Sequence, residues 1–183
     1  MDVRKYFPHH LYVARPWRAP IRAIKDEWYN IKAFLRRGRM GWAYIDLWNM
    51  DNYLGVILPA MLRHLGENHC GMPMEYVEKY KDDDEASAHW KADLLWVADL
   101  IEYANSDADD HNPYAEEYWE ACGLGRKTTK KVDGTIVSTH NTEVDEELKK
   151  KYYDYHMEIG KRQQEAIKKA FAWLGEHYFE LWD

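Results

Sequence analysis

Between residues 143 and 181 the chain has no proline, and one glycine, Gly160, stands near the centre. Leu148, Tyr152, Tyr155, Ile159, Ala166, Ala170, Leu174, Tyr178 and Leu181 recur there at a helical period. An apolar stripe of that length without a breaker predicts one long terminal helix, bent if at all at Gly160. Such a helix must bury its stripe against other elements, so the remainder has to supply a matching layer.

The remainder reads as helices. Pro8, Pro16 and Pro20 keep residues 1–19 extended, because each proline restricts itself and its predecessor. Pro20 then opens a first helix over about 20–37, with Ile21, Ile24, Trp28, Ile31 and Leu35 on one face and Arg22, Lys25, Lys32 and Arg36 on another. Gly38 and Gly41 punctuate a loop. Asp46 is the expected cap of a second helix carrying Leu47, Met50, Leu54, Ile57, Leu58, Met61 and Leu65, bent at Pro59 and ended by Gly66. Gly71 and Pro73 begin a loop, residues 75–86 are polar and acidic, and the run KDDDE at 81–85 reads as a solvated loop or a helix start; a third helix follows over about 87–105 with Trp90, Leu94, Val97 and Ile101 on one face. Asn112–Pro113 caps and opens a short fourth helix to about Cys122. Residues 123–142 lack core-forming side chains, and Asp133–Gly134 between KKV and TIV predicts a small exposed hairpin or a mobile insertion.

The expected fold is therefore all-α, a four- or five-helix bundle with a long C-terminal helix. At 183 residues it forms one domain, with a basic leader at 1–19 and a flexible insertion at 123–142. A terminal helix that outreaches a small bundle favours a homo-oligomer. Two cysteines are too few for a disulfide framework, the N-terminus has no apolar signal region, and no apolar run is long enough for a bilayer. These features predict a soluble cytoplasmic protein with no membrane association.

Charge divides the chain. Residues 1–40 hold ten Lys/Arg against three acids, +7, while the remainder holds 15 against 29, −14. Two readings follow: the basic segment pairs with the acidic remainder of its own fold, or it meets an anionic partner. Its interleaved Tyr6, Phe7, Tyr12, Trp17, Trp28 and Tyr29 suit backbone contact and base stacking. The acidic remainder argues against generic duplex binding, which rests on phosphate neutralisation.

The stretch WAYIDLWNMDNYL at 42–54 is the densest group of aromatics and acids. Continued as one helix from Leu47, it sets Asp51 inside the apolar stripe near Leu54, with Trp48 and Asn52 beside it and Asn49 facing water. An unpaired buried carboxylate is costly, so Asp51 needs an internal partner, an arginine or loop backbone, or else lines a pocket against the basic segment. In the pocket reading Trp48 stacks, Asp51 and Asn52 orient, and Arg15, Arg18 and Arg36 neutralise charge, with Trp17 and Tyr44 completing the set.

Catalytic signals are weak. His64, His69, Cys70 and the His9–His10 pair form no zinc or di-iron pattern, so no metal and no cofactor are expected. Glu116-Glu117-Tyr118-Trp119-Glu120 has the form EExxE and resembles the first motif of the MazG-related all-α nucleotide pyrophosphohydrolases. The ExxD motif that follows in that family is missing here, and a solvated acidic face accounts for the glutamates equally well. There is no GxSxG, P-loop or GxGxxG motif, so the sequence gives an enzyme little support.

Taken together, a Trp/Arg-rich leader, W-x-Y-x-D-x-W-N-M-D at 42–51, L-P-x-M-L-R-x-L at 58–65, G-x-P at 71–73 and a terminal ELWD at 180–183 resemble a family of small proteins encoded by bacteriophages and prophages. Where many relatives read G-Y-S-D, this chain has Ala43-Tyr44-Ile45-Asp46. The resemblance covers most of the chain outside 123–142. It implies a non-enzymatic protein in the host cytoplasm, acting on host machinery or defence. Two modes fit: sequestering an anionic nucleotide-like ligand, or inhibiting a host protein by direct contact.

Overall fold

The computed structural model describes residues 20–122, 128–132, 135–139 and 144–181. The leader at 1–19, with Arg15, Trp17 and Arg18, lies outside them. In chain order the elements are α1 (Pro20–Met40), a 3-10 turn (Tyr44–Leu47), α2 (Met50–Asn68), α3 (Met74–Tyr80), α4 (Asp83–Asn105), a second 3-10 turn (Ala108–His111), α5 (Ala115–Ala121), β1 (Thr128–Val132), β2 (Thr135–Thr139), α6 (Glu146–Glu176) and a last 3-10 turn (Tyr178–Glu180). The fold is all-α with a long C-terminal helix, and the expected hairpin is present as an antiparallel pair in which Val132 meets Thr135 and Thr128 meets Thr139. Among the described residues no helix is long and apolar enough to cross a membrane.

The bundle is built around α4. Ala86, Trp90, Leu94, Val97, Ala98 and Ile101 are fully or almost fully buried and follow one helical stripe. Leu62 of α2, Tyr76 of α3, and Ala170 and Leu174 of α6 close over that stripe, with Leu58, Leu65, Ile167 and Trp173 packed at its edges. Both neighbours run antiparallel to α4. Gly55 lies against Asn105 while Gly66 lies against Lys91 and Leu94. Likewise Trp173 stacks on Trp90, whereas Gln163 bonds to the carbonyls of Tyr103 and Ser106. A Cβ on Gly55 would stand 2.3 Å from Asn105 Cγ, so the helices meet closely there only because Gly55 has no side chain.

Several sequence expectations need adjustment. α3 falls in a stretch read as polar loop. A single turn of apolar residues, Tyr76 and Val77, anchors it, and Tyr76 reaches Asp93 of α4 with its hydroxyl, 2.5 Å away. KDDDE proves to be a helix start, since Asp82 accepts from the Glu85 N–H and three acids occupy the first turn, where they complement the helix dipole. Asn112 does not cap the short helix, which begins at Ala115 after Tyr114; its Oδ1 accepts from the Tyr114 N–H in the turn before it, while its Nδ2 donates to the Tyr152 carbonyl. Met61, expected in the stripe of α2, is 63% exposed. Arg63 is not free in solvent but spans Asp99 and Glu102 of α4, a half-exposed network that contributes little.

A second, smaller cluster joins α5 and the 108–111 turn to α6. Tyr118 stacks face to face on Tyr152, which donates 2.7 Å to Asp109, and Trp119 Nε1 donates to the other oxygen of Asp109 at 2.6 Å. Burial pushes the Asp109 pKa up, but the two donors and nearby His156 outweigh it and the net shift is downward.

Two outcomes follow. Leu94→Ala should lower unfolding free energy by about 3 kcal/mol in urea melts, against about 0.5 kcal/mol or less for exposed Met61→Ala. Asp109, with its folded pKa depressed, contributes stability that is present above the unfolded value near 3.9 and lost as pH falls through the folded one. Asp109→Ala should therefore lower the urea midpoint at pH 7, and the gap to wild type should close below about pH 4.

Candidate functional site

α1 ends in a manner its sequence dictates. The helix continues through Gly38 to Met40, and Gly41 stops it in the left-handed region at φ +79°, with its N–H bonded to the Arg37 carbonyl at 2.8 Å. The chain then turns back, and residues 44–47 make a single 3-10 turn. Asp46 of that turn is 1% exposed and Arg37 of α1 is 8% exposed. Arg37 Nε donates to Asp46 Oδ2 at 2.8 Å and to Oδ1 at 3.1 Å, Nη2 also reaches Oδ1, and the Ala43 N–H donates to Oδ2 at 2.7 Å. A buried carboxylate is thereby met by a guanidinium fork and a backbone donor, the arrangement that makes its burial tolerable. Tyr53 of α2 closes the turn by donating its hydroxyl to the Gly41 carbonyl. Burial, and then the Asp46 charge, raise its pKa, against a smaller opposing effect of Arg37.

The buried acid of this region is thus Asp46 and not Asp51. Asp51 is exposed, as are Leu47 and Met50, which had been expected to pack. Asp46 does not cap α2 either: the residue before α2 is Asn49, which makes no side-chain cap bond. One cause explains these departures. The segment is not one helix, because the 3-10 turn ends at Leu47 and Asn49 leaves helical geometry at φ −130°, ψ 64°. A helical phase counted from Leu47 therefore does not carry across residue 49.

Beside this anchor the inner face of α1 forms one wall of a cavity of about 530 Å³. Tyr29, Lys32, Ala33, Leu35, Arg36, Arg39 and Tyr44 line it, and among the described residues no carboxylate does. Arg36 lies flat over the Tyr44 ring with its Cζ 3.7 Å from the centroid and 4.9 Å from that of Trp42, and the two rings meet edge to face. Arg36 Nε is buried without a hydrogen-bond partner. The guanidinium is therefore positioned by π contacts, with donor capacity left over. Lys32 sits over Trp28 at 5.3 Å.

Of the residues singled out in the sequence, Arg36 and Tyr44 come together in this cavity. Asp51 lines a different one, between α2, α4 and α6. Trp48, 85% exposed, and Asn52 line neither. Arg15, Trp17 and Arg18 lie outside the described residues. Tyr29, Lys32 and Arg39 had not been selected. Their signal was the spacing 29, 32, 36, 39, which sets an aromatic and three cations on one helical face. Glu116, Glu117 and Glu120 stand exposed on α5, and among the described residues no group of three or more His, Cys, Asp or Glu is arranged to hold a metal. Comparison with protein-family models, curated proteins and solved structures finds no match.

The anchor gives a direct test. Arg37→Ala leaves the Asp46 carboxylate buried without its cation and should cost about 3 kcal/mol or more of stability in urea melts, whereas Asp51→Asn should change it by about 0.5 kcal/mol or less.

Proposed function

We propose that the chain is a non-enzymatic binding protein whose cavity at the end of α1 takes an anionic, nucleotide-like ligand. In the setting implied by the phage resemblance, it would act on host machinery or defence from within the host cytoplasm. The observation that carries this reading is the convergence of Lys32, Arg36 and Arg39 on one concave space that no carboxylate of the described residues lines. In a chain of net charge −7, such a local excess of cations focuses a positive potential. Tyr29 and Tyr44 add flat apolar faces for a ring, and the spare Nε of Arg36 offers a charge-assisted donor to a phosphate oxygen.

A concave basic pocket suits a small anionic ligand better than a flat protein face, which favours this reading over inhibition of a host protein. A pyrophosphohydrolase has less support, since Glu116, Glu117 and Glu120 lie on α5 and not on this cavity.

The test is a titration of the purified protein with nucleoside mono-, di- and triphosphates and their cyclic forms, read by intrinsic fluorescence, because Trp42 is a neighbour of Arg36. Binding should weaken with added salt, and Arg36→Ala should reduce affinity at least tenfold, about 1.4 kcal/mol. Absence of binding by every phosphate compound in that panel would remove the proposal.

A further inference from the structure

α1 has a second face that its own chain leaves in water. Ile24, Trp28, Ile31 and Leu35, spaced by four, three and four residues, fall on one side of the helix, opposite buried Ala33. They are between 47% and 70% exposed. An amphipathic helix that turns four large apolar side chains outward in register marks an interaction surface. Lys32 and Arg39 flank the stripe, and α1 as a whole carries six Lys/Arg against two acids, +4.

A groove of complementary character lies between α2, α4 and α6. Its volume is about 550 Å³, and Leu54, Leu58, Ile101, Ile167 and Phe171 supply its apolar walls. Among the described residues Asp51 is the one charged residue in its lining, and no cation lines it. Its carboxamides have used donors on backbone: Asn105 Nδ2 bonds to the Ile101 carbonyl at 2.9 Å, and Gln163 Nε2 to those of Tyr103 and Ser106 at 3.1 and 2.9 Å. Their oxygens therefore remain as acceptors beside Asp51. The groove is built to take apolar side chains accompanied by a cation.

We propose that the outward face of α1 seats in the α2–α4–α6 groove of a second copy of this chain, and reciprocally, to form a symmetric dimer. Charge complementarity selects the occupant, since cations flank the stripe and the charge on the described lining of the groove is the Asp51 carboxylate. Connectivity favours exchange between copies: only residues 41–49 separate the end of α1 from Met50 at the mouth of the groove. Leu35, Lys32 and Arg39 border the anion cavity as well as the stripe, so the test below uses Ile31 and Phe171, which line no part of that cavity, and its outcome is read apart from that of the function proposed above.

The experiment measures molecular mass in solution by light scattering at micromolar to millimolar protein. Wild type should be a dimer. Ile31→Asp on the stripe and Phe171→Asp in the groove should each give a monomer with unchanged far-UV circular dichroism, as both side chains are about half exposed. Mixed together, the two variants should pair, because one intact stripe then meets one intact groove. Asp51→Lys should weaken the dimer about tenfold at low salt and less at high salt. A monomeric wild type overturns the proposal, including one that instead takes a basic peptide or a cationic amphiphile in the groove. So does a dimer indifferent to both Asp substitutions, or a mixture that stays monomeric.

Discussion

The Arg37–Asp46 pair is the constraint on which the candidate site at the end of α1 depends. It is the buried ionic link between α1 and the turn that leads into α2. Removing a carboxylate from water is unfavourable, and the cost is offset only while the guanidinium fork and the Ala43 N–H stay in place. The pair therefore tolerates little displacement. It fixes the rotation of α1 about its own axis, and that rotation decides which residues face inward. Arg36, one position earlier, is brought over Tyr44 and Trp42 as a consequence. The cavity chemistry is inherited from a structural ion pair next to it in sequence.

The rest of the fold rests on α4, and this division explains what the sequence disclosed. Where burial is deep and the helix unbroken, the period in the sequence maps directly onto the core. Trp90, Leu94, Val97 and Ile101 were legible for that reason, as were Tyr152, Ile159, Ala166, Ala170 and Leu174 along α6. The hairpin was legible from turn chemistry alone. α3 was not, because about two turns of helix give too short a period to count, and the burial of Tyr76 is decided by Trp90 and Asp93 of α4, fourteen or more residues away.

The site was legible only in part, and the failure is instructive. The reasoning that a buried carboxylate in WAYIDLWNMDNYL demands a partner was sound, but the phase argument chose the wrong aspartate. A one-residue break at Asn49 separates a 3-10 turn from an α-helix, and neither hydropathy nor propensity marks it. Arg36 and Tyr44 were selected as basic and aromatic residues in a charged segment. Lys32 shares the basic face of Arg36 in the sequence reading without being selected, and Arg39 falls in the loop beyond a helix end placed near 37, whereas the helix runs to Met40.

The two faces of α1 carry a further thermodynamic consequence. Near its C-terminal end the helix is tied to the following turn by the buried Arg37–Asp46 pair, while Ile24, Trp28, Ile31 and Leu35 along its length stay exposed. An anion on the inner face would bridge α1 to Tyr44, and a partner groove on the outer face would fix the same helix from the opposite side. Each event restricts motion that the other would otherwise have to restrict, and the cost of ordering α1 is met only once. Ligand affinity and dimer affinity are then coupled, and by linkage the coupling is equal in both directions. A helix anchored at one end, basic on its inner side and apolar on its outer side, is suited to join binding and assembly in a single element.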